Sequence, residues 1–195
     1  MNRQRLRHLG VLGAAGIGLL LAAAASAHET MTPELRQVGA TAVVYKDPLV
    51  NIAISYRYAK NNVRGNWLFL DTAMTASKEP LEIPRSAFAL RTPSGDIVPM
   101  ATQTALALDY RSVNADVHRD NATREPLGYL IPQKFRRLDY FVEPGRGIVF
   151  DYAWLDTWHN NYGRLFFQVP GGLQHGQYEL LLHLKGGEVT IPFTL

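Results

Sequence analysis

His28, His159, Trp158 and Tyr162 are the residues whose type and setting could bind or do chemistry. His28 follows Ala25-Ser26-Ala27, and cleavage after Ala27 would leave it with a free α-amine beside its imidazole. Amine and imidazole nitrogens suit copper by ligand type. A second histidine would complete a T-shaped site, and His118, His159, His175 and His183 are the candidates. His183 shares a strand face with Glu179, His175 precedes Gly176 in a turn, and His118 lies in a charged stretch. His159 is the best placed, within the aromatic segment Trp154 to Tyr162. The plainer reading of that segment is a loop turning at Asn160-Asn161, with His28 only the residue after the cut, on a frayed terminus.

Aromatic faces can also form a platform for a sugar ring, because they are apolar yet tolerate polar rims. Trp154 continues the face of Ile148, Phe150 and Tyr152, so it is expected in the core. That leaves Trp158 as the exposed ring, with Tyr162 beside it as the second binding residue. Asp151 and Asp156 could be posed as acid and base, but nothing in their spacing brings them together. The chain has no Gly-rich phosphate loop, no His-Glu-x-x-His and no Gly-x-Ser-x-Gly. No catalytic residue is assigned.

The elements that must position these residues begin with an export signal. Arg3, Arg5 and Arg7 precede an apolar run from Leu9 to Ala25, and Ala25 and Ala27 are the small residues a signal peptidase requires. Residues 1–27 therefore read as a secretory signal peptide. The competing reading is a membrane anchor, but the run is shorter than the ~20 residues a spanning helix needs. The expectation is a periplasmic or secreted protein with no membrane span after cleavage. Of its 20 Lys and Arg, three precede the cut, and none of its 17 Asp and Glu do. The remainder is balanced in charge, which removes the main electrostatic argument for a nucleic-acid partner. The chain has no cysteine, which excludes disulfides, thiolate zinc sites, iron–sulfur clusters and a cysteine nucleophile.

After a flexible segment at 28–37, residues 38–195 read as one domain dominated by period-2 alternation. Val50, Ile52, Ile54, Tyr56 and Tyr58 oppose Asn51, Ser55 and Arg57. Trp67 to Asp71 is a second apolar run, and Leu165, Phe167 and Val169 end at Pro170-Gly171-Gly172. Pro93-Ser94-Gly95-Asp96 is a turn signal. Tyr178 to Leu184 and Val189 to Leu195 read as a hairpin turning at Gly186-Gly187, with positive φ at both. Pro192 makes the last strand an edge. Met100 to Ser112 has helical spacings at Ala101, Ala105, Leu108 and Arg111 and is read as a short helix, the alternative being a strand through Leu106, Leu108 and Tyr110. Residues 113–146 are charged and weakly periodic, and read as a long solvated loop. The expected fold is all-β: an antiparallel immunoglobulin-like β-sandwich with one long charged loop and one short helix.

Together these readings favour an exported, non-catalytic sandwich that binds a partner protein or glycan through its loops, with no cofactor. The alternative is a copper-binding or copper-dependent oxidative protein using His28 and His159. An outer-membrane barrel is a third reading, disfavoured by short strands with proline and by charge on no consistent face.

Overall fold

The computed structural model describes residues 32–195. His28 and the expected signal peptide lie outside the described residues. In chain order the elements are β1 (Glu34–Val38), β2 (Ala42–Lys46), β3 (Val50–Ser55), α1 (Arg57–Asn61), β4 (Trp67–Ala76), β5 (Leu81–Pro84), β6 (Phe88–Arg91) and β7 (Ile97–Pro99). There follow α2 (Gln103–Leu108), α3 (Tyr110–Asn121), β8 (Lys134–Arg137), β9 (Tyr152–Leu155), β10 (His159–Gln168), β11 (Gln177–Leu184) and β12 (Gly187–Thr194). The fold is mostly β, with packed sheets. A six-stranded sheet runs β1-β2-β3-β4-β10-β8, a four-stranded sheet runs β12-β11-β6-β7, and β5 pairs with β9 in a ribbon. All pairings are antiparallel except that of β8 with β10. β1 begins at Glu34, inside the stretch read from sequence as flexible, because its backbone pairs along β2.

The inner faces of the two larger sheets make one core. Ile52, Ile54, Leu68, Leu70 and Met74 of the first pack in a single cluster with Phe88, Leu90, Leu180, Leu182 and Ile191 of the second. At one end Phe193 stacks on Tyr178 with centroids 5.7 Å apart and meets Tyr56 at 5.1 Å. β12 is an edge strand, as Pro192 requires.

The outer face of the large sheet departs from the sequence reading. β3 should be half-solvated, yet Ala53 and Ser55 are as buried as Ile52 and Ile54. The register explains this. Val44, Ala53, Ala73 and Tyr162 form one cross-strand row, and Ala42, Ser55, Asp71 and Arg164 form the next. The small residues Ala42, Ala53 and Ala73 leave room for Leu127 and Ile131, which complete a second apolar cluster on that face.

Residues 113–146 are therefore not a solvated loop. α3 carries the chain to Asn121, a 3₁₀ turn covers Leu127–Tyr129, and β8 adds an edge strand. Val113, Asp120, Leu127, Ile131, Leu138 and Tyr140 are all buried. The expected single helix over Met100–Ser112 is two. Thr102 caps α2 by accepting from the Ala105 amide at 3.1 Å, and Asp109 separates α2 from α3.

Two further readings change. Ile148, Phe150, Tyr152 and Trp154 form the exposed face rather than the core one, with Trp154 51% exposed. The β5–β9 ribbon turns Ala153 and Leu155 inward, next to Ile83, and these smaller side chains fill the space there. The late hairpin turns at Lys185-Gly186, since Leu184 pairs with Gly187. Gly187 has a positive φ of 156° but belongs to β12. Gly186 is needed for space: a Cβ there would lie 2.9 Å from Leu49 Cδ1.

Gly163 marks a tighter approach. A Cβ on it would lie 2.7 Å from Leu138 Cβ and 2.8 Å from the Leu138 carbonyl oxygen. This is where the returning chain crosses β10, and the Leu138 amide donates to the Tyr162 carbonyl at 2.9 Å. Gly163→Ala should therefore lower unfolding free energy by about 2 kcal/mol, because backbone must shift. Gly186→Ala should cost less than about 1 kcal/mol, because the end of a partly buried leucine can rotate away. Urea denaturation compares the two, and a Gly163→Ala protein as stable as the parent would contradict this packing.

Candidate functional site

The turn between β9 and β10 is built by Asp156. Its Oδ1 accepts from the Trp158 and His159 amides, both at 2.8 Å, which closes the turn on its own side chain. The His159 Nδ1 lies 2.9 Å from Oδ2, and Arg136 Nη1 lies 3.2 Å from the same oxygen. Burial alone would raise the Asp156 pKa. The His159 side chain, the two amides and the Arg136 charge outweigh it and hold the carboxyl below its ordinary value. His159 is thus oriented through Nδ1, with Arg136 Nη2 a further 2.8 Å neighbour of that nitrogen.

Trp158 rides on this turn and is 75% exposed, as the sequence reading expects. Trp154 and Tyr152 stand outward from the preceding strand, and Phe150 continues the row, its ring centroid 6.3 Å from that of Tyr152. Trp154 also walls an open groove of about 750 Å³, with Leu49, Leu81, Glu82 and His183 on its other sides. His183 is an exposed strand histidine, 3.3 Å from Glu188 across the hairpin. Asp151 bonds Arg85 at 3.1 Å, so it does not pair with Asp156. His118 lies on α3 rather than in a loop. Among the described residues no three His, Asp or Glu side chains converge as a metal site.

Tyr162 belongs to a different place. It stands on the outer face of β10, its ring covered by the Arg124 guanidinium at 4.1 Å and flanked by Phe135 at 5.6 Å. It lines a cleft that Trp158 does not reach. The floor of that cleft is a charge network that the sequence reading missed. Arg124 bonds Asp71 Oδ1 through Nε at 2.8 Å and Nη2 at 2.7 Å. Arg164, opposite Asp71 in the ladder, places Nε 3.0 Å from the same oxygen, off the hydrogen-bonding angle. Its Nη2 donates to Asp120 Oδ2 at 2.6 Å and to Asn121 Oδ1 at 2.8 Å. Next along the chain, Glu125 accepts from the hydroxyls of Thr41 at 3.1 Å and Ser55 at 3.2 Å. The signal available in sequence was a lone acid at the end of an apolar strand run, Asp71, and a lone base, Arg164, beginning another.

Asp71 sits almost out of solvent. Burial raises its pKa, Arg164 and Arg124 pull it down, Asp120 adds to the rise, and the balance pushes it up to about 6. The folded state therefore holds this proton more tightly than the unfolded chain. The stabilisation from protonating Asp71 is complete below about pH 4 and fades as pH rises through about 6. Asp71→Asn should flatten that part of the stability curve in urea melts between pH 4 and 7. An unchanged slope, or a directly observed Asp71 carboxyl titrating below pH 4, would contradict this assignment. Comparison with known protein families, with curated protein sequences and with solved structures finds no match to this chain.

Proposed function

We propose that this is an exported, non-catalytic, immunoglobulin-like β-sandwich that binds a glycan or a glycan-bearing partner protein through the aromatic surface of β9 and the Trp158 turn. The observation that carries the reading is the outward set Tyr152, Trp154 and Trp158, held on a strand and on a turn closed by Asp156. Large rings turned to water on a strand are costly unless they meet a partner. Glu82, Lys78 and His183 supply polar groups around the groove beside Trp154. Flat rings with a polar rim are the chemistry that receives a sugar face. Export rests on the signal-like residues 1–27, and periplasmic or secreted placement is part of the proposal.

One observation favours the copper reading as a second. The ladder carries Glu34, Lys46, Asn51 and Thr75 in one row, at the sheet end where β10 begins with His159. Four strand spacings make about 19 Å, and any stretch of six residues can reach at most about 20 Å, so the sequence separation of His28 from Glu34 is compatible with His159 as a co-ligand. A carboxylate holding Nδ1 leaves Nε2 as the ligand atom, the usual outer-shell arrangement of a metal-binding histidine. The Arg136 guanidinium beside the same ring weighs against a cation there.

One set of titrations separates the readings. Calorimetry with oligosaccharides should show binding that falls at least about ten-fold in Trp154→Ala and in Trp158→Ala, while stability changes by no more than about 0.5 kcal/mol. Glycan binding indifferent to both substitutions, or no glycan binding at all, overturns the leading reading. Copper titration of a chain beginning at His28 should show no tight site. One tight site, lost on extending the N-terminus by a residue and in His159→Ala, would install the second reading instead.

A further inference from the structure

We propose that the cleft between α3 and β10 binds a small carboxylic acid with an apolar tail, its carboxylate held by Arg124 and Arg164. This site is separate from the aromatic surface and does not rest on the glycan reading. The cavity is about 380 Å³, within the range of small-molecule pockets. Its walls are apolar on three sides: Val113 and Val117 from α3, Phe135 and Leu138 from the returning chain, and Phe166 from β10. Such walls suit a short alkyl or aryl group.

Its cations are fixed in advance. Arg124 is sandwiched between the Tyr162 ring and Asp71, and Arg164 is pinned between Asp71 and Asp120. Both guanidiniums line the cleft, whereas Asp71 and Asp120 lie behind them, their side chains 5% and 2% exposed. The ion pairs use Nε and Nη2 of each arginine, and among the described residues Nη1 of each has no partner. Preset guanidinium donors favour a planar carboxylate over a point charge. The remaining charged groups at the rim are Arg137, paired with Asp139 at 2.7 Å, and Glu143, paired with Arg146 at 3.2 Å. They largely cancel.

The test titrates octanoate, octanol and octylammonium into the full chain by calorimetry, and repeats octanoate on two variants. Octanoate should bind at least about ten-fold more tightly than octanol, because charge-assisted bonds to the arginines are missing from the alcohol. Octylammonium should not bind measurably. Arg124→Gln should weaken octanoate by about ten-fold or more. Because that variant disturbs a buried pair, Asn114→Trp is the second. Asn114 is half-buried at the cleft wall, and an indole there should abolish octanoate binding while circular dichroism is unchanged. The proposal is overturned if octanoate does not bind, if octanol matches it, if octylammonium exceeds it, or if folded Asn114→Trp binds octanoate as the parent does.

Discussion

Asp71 is a carboxylate in the middle of a buried strand, and the outer half of the molecule is organised by how it is neutralised. A buried acid without a partner costs several kcal/mol. Here one partner, Arg164, comes from the neighbouring strand, and the other, Arg124, comes from a segment more than fifty residues away in sequence. Arg164 in turn holds Asp120 at the end of α3. The corner from Asp120 to Glu125 therefore meets the sheet through four polar anchors, Asp120, Asn121, Arg124 and Glu125. Leu127 and Ile131 follow into the depression left by Ala42, Ala53 and Ala73. Polar pairing sets where the corner sits, and apolar burial supplies the attraction once it is there.

That docking gives the large sheet two covered faces and a cleft. The inner face meets the second sheet, and the outer face meets the 113–146 segment. Because α3 is held at its C-terminal end by Arg164 and near its start by Asp109, which accepts from Trp67 and Gln168, it stands over β10 without closing on it. The space beneath is the cleft lined by Tyr162 and the two arginines. The aromatic surface of β9 has a different origin. The β5–β9 ribbon buries Ile83, Ala153 and Leu155 on its inner face, so Tyr152 and Trp154 on the alternate face meet water.

The β character, most strand positions, the Pro93–Asp96 turn and the edge position of β12 were legible because alternation and turn chemistry are local signals. Trp158 was legible as an exposed ring for the same reason. Which face of 148–154 is buried was not. Alternation gives two faces, and only the partner layer decides between them, so Trp154 was assigned to the wrong one. The 113–146 segment was misread because its anchors are long-range ion pairs, and its charges resemble a solvated loop until Asp71 and Arg164 are seen beneath them. Tyr162, expected beside Trp158, stands instead on the outer face of β10 under the Arg124 guanidinium, a placement set by long-range strand pairing. The hairpin turn was displaced by one residue because Gly186 and Gly187 look alike in sequence, while Leu49 packs against only one of them.

The central claim is that the Asp71 network holds the 120–131 corner on the sheet. Native-state hydrogen exchange on Arg164→Met tests it most directly, since methionine keeps the side-chain bulk and removes the charge. Removing one partner of a buried pair costs about 3–5 kcal/mol. The amides of Thr123, Leu127 and Leu130, which bond within the corner, should lose at least about ten-fold in protection through local opening. The β11–β12 amides should keep theirs down to the global limit. Equal protection of the corner in parent and variant, or a uniform loss across all strands with no local opening, would contradict it.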